Sequence, residues 1–159
     1  MKNNILILVG LGALVFCLFS CKQRAVPKLS EEDKRALGEQ IEKITIGFNK
    51  TESGLFYKVL EEGSGNKAEK GQNVSVHYEG SLLSGKIFDS SYERKEPIDF
   101  PLGTGKVIAG WDEGIALLKK GSKARLVIPP HLGYGARGAG RSIPPNSTLI
   151  FDVELVDVK

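Results

Sequence analysis

Few side chains in this sequence have the type and spacing that chemistry needs, and most reactions drop out before any fold is considered. Both cysteines, Cys17 and Cys21, lie in or just after the first apolar run, which leaves no thiol further along for catalysis or a zinc site. His77 and His131 stand far apart without a ligand's spacing, so no metal and no cofactor is expected. Ser81, Ser84, Ser90 and Ser91 lie in no nucleophile-elbow motif, and a hydrolase reading has no support. Gly133-Tyr134-Gly135-Ala136-Arg137-Gly138 spells a phosphate-binding motif, but prolines 129, 130, 144 and 145 deny it the strand-turn-helix setting its mechanism requires. It reads as a loop. Two polar groups are left, each with two readings. Asp89, among apolar neighbours, either orients or polarises a site or is a strand-end carboxylate held by its surroundings. Tyr134, in a Gly-rich loop, either covers the core or presents its hydroxyl, and the hydroxyl favours function. Aromatics make up only 8% of the chain, so each large ring is expected to have a definite packing or binding role.

These residues need elements to hold them. Leu55 to Leu60 is a strand candidate closed by Gly63-Ser64-Gly65. Val74, Val76 and Tyr78 alternate with Ser75, His77 and Glu79, the period of a sheet with one wet face. Ile87-Phe88-Asp89-Ser90 and Ile98-Asp99-Phe100 are shorter extended segments, while Lys123 to Ile128 and Thr148 to Val156 are the strongest strands. In the last, Leu149, Phe151, Val153 and Leu155 share a face opposite Asp152 and Glu154. One helix interrupts them: Trp111, Ile115 and Leu118 stand at i, i+4 and i+7, with Lys119-Lys120-Gly121 as its expected end and solvated cations. Trp111 is expected in the core whatever else it does. Short strands around one helix indicate an α+β fold, an antiparallel sheet over a short helix.

The beginning of the chain is different in kind. Lys2 precedes an almost unbroken apolar run from Ile5 to Phe19, the order of a secretory signal and short for a membrane span. Leu18-Phe19-Ser20-Cys21 closes it and resembles the lipobox of bacterial lipoproteins. Residues 1–20 are therefore expected to be a signal peptide, with Cys21 carrying a lipid. Residues 21–50 read as a polar tether containing a short amphipathic helix: Ser30 is its N-cap, and Leu37, Ile41 and Ile44 form a stripe, with docking on the domain, another copy or the bilayer surface, or partial disorder, as the open readings. Residues 51–159 form the single globular domain. The expected location is exported and lipid-anchored to a bacterial membrane, facing the periplasm or the cell surface. Lys and Arg number 22 against 19 Asp and Glu, a balance that gives no reason to propose nucleic acid as a partner.

The order of segments in the domain is specific. Val76-His77-Tyr78-Glu79-Gly80, Phe88-Asp89-Ser90-Ser91, Val107-Ile108-Ala109-Gly110-Trp111, Gly133-Tyr134-Gly135-Ala136 and Ile143-Pro144-Pro145-Asn146 through Leu155 resemble the FKBP-type prolyl isomerases. The resemblance covers about Gly54 to Val158. It implies a sheet half-wrapped around the Trp111 helix with a proline pocket between them. By that resemblance the substrate-binding residues are Tyr78, Phe88, Asp89, Phe100, Val107, Ile108, Trp111, Tyr134, Ile143 and Phe151, with Asp89, Tyr134 and Phe88 as the catalytic group. Trp111 is the floor, Ile143 lies near the rim, and the Ile108 N–H donates to a substrate carbonyl. Proline-containing polypeptides are the implied partners, macrolide inhibitors are implied ligands, and a monomer is expected. Ile98, Ala139-Gly140 and Ser142 depart from residues frequent in the family, which bears on substrate preference and macrolide affinity.

Such residues suit a reaction that breaks no bond. Turning an X-Pro amide costs its resonance, roughly 18 to 20 kcal/mol. A catalyst need only bind the twisted amide better than either planar form, with a dry pocket and fixed donors. The expected function is isomerisation of X-Pro bonds during the folding of exported proteins. The competing reading is a non-catalytic module or holdase chaperone that grips proline segments in the same groove.

Overall fold

The computed structural model describes residues 29–159, so the expected signal peptide and Cys21 lie outside the described residues. Helix α1 (Glu31–Ile44) starts where its sequence dictates. The Asp33 N–H donates to Ser30 Oγ at 3.0 Å, and the Ser30 N–H donates to the Asp33 carboxylate at 3.1 Å. This reciprocal cap satisfies two donors that the first turn leaves free. Leu37 and Ile41 are half-buried and Ile44 is exposed; α1 has no buried residue. Among the described residues no helix is long and apolar enough to cross a membrane.

Seven antiparallel strands follow: β1 (Asn49–Lys50), β2 (Phe56–Glu61), β3 (Asn73–Leu82), β4 (Ile87–Ser90), β5 (Ile98–Pro101), β6 (Lys123–Ile128) and β7 (Leu149–Val158). β1 pairs Lys50 with Phe56 and Asn49 with Tyr57, so the sheet takes in two residues that the sequence reading leaves in the tether. The order is β1-β2-β6-β7-β3-β4, with β5 beside β4 on the free edge of β3. That shared edge places the site, because it sets Asp89 opposite Gly80 and Ile98 opposite Val76.

Alternation along the strands decides which face is dry. Val74, Val76 and Tyr78 of β3, Ala124, Leu126 and Ile128 of β6, and Leu149, Phe151, Val153 and Leu155 of β7 make one buried cluster. Ser75, expected on the wet face, is buried too. Its hydroxyl donates to the Asp99 carboxylate at 2.5 Å directly across on β5, which removes the cost of burying it.

Two short helices complete the core: α2 (Ser91–Arg94) and α3 (Ala109–Ile115). The helix expected to run to Lys119-Lys120-Gly121 ends at Ile115 instead. Downstream backbone groups are claimed by the segment before β3: the Ala68 N–H donates to Leu118 O, and the Lys120 N–H to Asn66 O. Leu118 still reaches the core, but from a turn. Lys119 and Lys120, expected as solvated cations, pair with Glu62 and Asp157.

Candidate active site

Residues from six parts of the chain meet at one end of the dry face. β3 supplies Tyr78, β4 supplies Phe88 and Asp89, and β5 supplies Ile98. Lys106, Val107 and Ile108 come from the approach to α3, which contributes Trp111. Tyr134 comes from the loop after β6 and Phe151 from β7. They line a cavity of about 180 Å³. Its rings meet edge to face: Tyr78 on Trp111 at 5.0 Å and 82°, Trp111 on Phe151 at 5.3 Å and 82°, Phe88 on Phe151 at 5.5 Å and 83°. This geometry sets a positive ring edge against a negative ring face, so the walls hold one another in place without a ligand. Gly80 makes room for it. A Cβ there would lie 2.7 Å from both Phe88 and Phe151.

Polar groups sit at one side. The Tyr78 hydroxyl donates to Asp89 Oδ2 at 2.5 Å, and Arg94 of α2 donates to Asp89 Oδ1 at 2.5 Å and to the Tyr78 oxygen at 2.8 Å. Burial alone would raise the Asp89 pKa. The donors Tyr78 and Arg94 outweigh it and hold the carboxyl below its ordinary value. Burial, reinforced by the neighbouring carboxylate, pushes the Tyr78 phenol above its ordinary value, so it stays a donor.

The approach to α3 is clamped. Asp112 accepts from the Gly103 and Gly105 N–H groups, each at 2.8 Å, and both glycines sit at φ 72°, where a side chain would be strained. Ile108 then caps α3 with its carbonyl, and its own N–H donates to none of the described residues. A fixed free donor beside an apolar ring-lined space suits capture of a carbonyl next to a compact apolar group.

Known proteins share both this sequence and this shape. A family model described as FKBP-type peptidyl-prolyl cis-trans isomerase matches residues 64–156. FK506-binding protein 2 of Yarrowia lipolytica is 57% identical over 109 residues, which are 69% of this chain and 76% of that protein. The FKBP-type 22 kDa peptidyl-prolyl cis-trans isomerase of Escherichia coli is 50% identical over 112 residues, 70% of this chain and 53% of that one. The crystal structure of FkpA from Escherichia coli aligns with a TM-score of 0.73 at 48% identity, covering 80% of this chain and 60% of that chain. The chain belongs to the FKBP-type peptidyl-prolyl cis-trans isomerases.

The FKBP fold brings together eight of the expected site residues: Tyr78, Phe88, Asp89, Val107, Ile108, Trp111, Tyr134 and Phe151. Phe100 and Ile143 do not line the cavity. Phe100 shares a face of β5 with Ile98 but lies two residues deeper, buried with its centroid 5.7 Å from that of Trp111. It braces the floor from behind. Ile143, expected near the rim, is buried and exchanges backbone hydrogen bonds with Ala139, which closes the loop carrying Tyr134. The phosphate-like motif, Gly133 to Gly138, lies in that loop after one short 3-10 turn, Pro130–Leu132, and contains a second, Gly135–Arg137.

Three residues enter that the sequence reading did not place in the site. Ile98 and Lys106 line the cavity, and Arg94 holds its carboxylate. Lys106 had a signal, since it adjoins Val107 and Ile108. Arg94 had none, because the five-residue step from Asp89 crosses a strand end and a one-turn helix, which share no period. Both histidines are engaged in structure: His77 stacks on Tyr92 and meets Ser91 Oγ at 2.9 Å, and His131 meets the Ser53 carbonyl.

Proposed function

We propose that this isomerase seats the proline ring of its substrate in the cavity over Trp111 while the preceding amide turns. The observation that carries the reading is that the rings of Tyr78, Phe88, Trp111 and Phe151 bound a single space. Walls of this kind strip water from the imide, which disfavours its charge-separated planar form and lowers the barrier to rotation. The Ile108 N–H takes a substrate carbonyl, and the Tyr134 hydroxyl faces the bound peptide from the rim. Asp89, fixed by Arg94 and Tyr78, sets the field on one side of the amide and moves no proton. Donors already in place at the twisted geometry bind it better than either planar form, which is what acceleration requires. A protease-free assay of cis-to-trans conversion on an Xaa-Pro peptide tests this. Acceleration that a saturating competing proline peptide abolishes is expected, and a rate equal to the spontaneous one would overturn the reading.

The clients are proteins exported alongside it, and the chain is held to a membrane by lipid on Cys21. The support is the sequence alone: the charged start, the apolar run and Leu18-Phe19-Ser20-Cys21. Labelling with a fatty acid should mark the wild type and spare Cys21→Ser; equal labelling would end the idea. Relatives carry FK506 in their names, and the same cavity is the place for a macrolide here. Ile98 in its wall and Ala139 in the loop beside it set the affinity. One chain supplies every wall of the cavity, so a monomer is sufficient for the reaction.

A further inference from the structure

We propose that Lys106 makes this enzyme favour proline bonds flanked by a carboxylate side chain, a preference that rests on reading the cavity as the proline site. Asp89 is matched by Arg94, and its second oxygen is taken by the Tyr78 hydroxyl. Asp112, the acid nearest in sequence on α3, has both oxygens committed to the Gly103 and Gly105 N–H groups. Asp99 follows the cavity-lining Ile98, but alternation along β5 turns it to the other face, where it accepts from Ser75. Each of these three carboxylates therefore has a partner.

Lys106 has none among the described residues, and it lines the cavity. The clamp on Gly103 and Gly105 also fixes the backbone just before Lys106, which anchors the base of its side chain beside the cavity. One unmatched positive charge beside an otherwise apolar and neutralised cavity attracts an acidic neighbour of the bound proline. The pair would form at an exposed rim, where such contacts change affinity by roughly two- to fivefold and weaken as salt is added.

The test compares the full chain with Lys106→Gln and Lys106→Glu on two matched peptide pairs. One pair carries Glu or Gln before the proline, and the other carries Glu or Gln after it. The quantity read is the ratio of kcat/KM for the Glu peptide to that for its Gln twin, measured within each protein. At low ionic strength the ratio should be about two- to fivefold higher in the wild type than in Lys106→Gln for at least one pair, and lowest in Lys106→Glu. High salt should shrink the difference. Equal ratios in all three proteins for both pairs, with the Gln peptides still accelerated, would overturn the role of Lys106 alone. Failure of the wild type to accelerate the Gln peptides would overturn the reading of the cavity and this inference with it.

Discussion

Charge at the polar side of the cavity depends on how Asp89 uses its two oxygens, one toward Arg94 and one toward the Tyr78 hydroxyl. Asp89→Asn keeps the size and loses the ion pair, and it turns an acceptor toward a guanidinium into a group that can also donate. We expect kcat/KM to fall about tenfold, a barrier change of about 1.4 kcal/mol, with the fold intact by circular dichroism. Arg94→Gln should cost about as much although Arg94 does not line the cavity, and the two losses together should be less than their sum. The pH dependence has a definite sign. The folded-state pKa of Asp89 is depressed, so its contribution to stability is present above the unfolded carboxylate pKa, near 3.9, and is lost as pH falls through the lower folded value. Asp89 should therefore leave activity level across neutral pH. Acid unfolding of Asp89→Asn should lack this share of the wild-type slope.

At the scale of elements, glycine decides how closely α3 approaches the sheet. Gly110 and Gly114 lie on one face of α3, where a Cβ would meet Ile128 at 2.6 Å and Leu126 at 2.7 Å. Helix propensity favours alanine over glycine by about 1 kcal/mol. Packing overrules it here, and Gly114→Ala should destabilise by about 1 to 3 kcal/mol in denaturant unfolding. Gly80→Ala should act on the site as well, since it displaces Phe88 and Phe151 together; a several-fold loss of kcat/KM is expected alongside lower stability. Neither effect was legible in the sequence, where nothing in the motifs that hold Gly80 and Gly110, or in the helical stripe around Gly114, shows what a Cβ would meet. The strands were legible because β3, β6 and β7 alternate strongly. The end of α3 was not, because Leu118 keeps helical spacing while its carbonyl accepts from Ala68, fifty positions earlier in the chain. Eight of the residues that line the cavity were legible from the order of motifs. Arg94 was invisible because the turn from β4 into α2 that carries it back onto Asp89 follows neither the strand nor the helix period.

At the scale of the whole molecule, the sheet and its cavity are complete without α1, which buries none of its residues. A chain beginning after Ile44 should keep the wild-type denaturant midpoint and its kcat/KM on short peptides. A drop in the midpoint would mean that α1 docks on the domain. An unchanged midpoint would leave the α1 stripe available for contacts outside the domain. The domain also contains its own reporter. Trp111 is the single tryptophan of the sequence and forms the floor of the cavity, 3% exposed. Its emission is therefore an unlabelled optical signal of cavity occupancy. Titrating a proline peptide while following that fluorescence would give binding directly, separate from turnover.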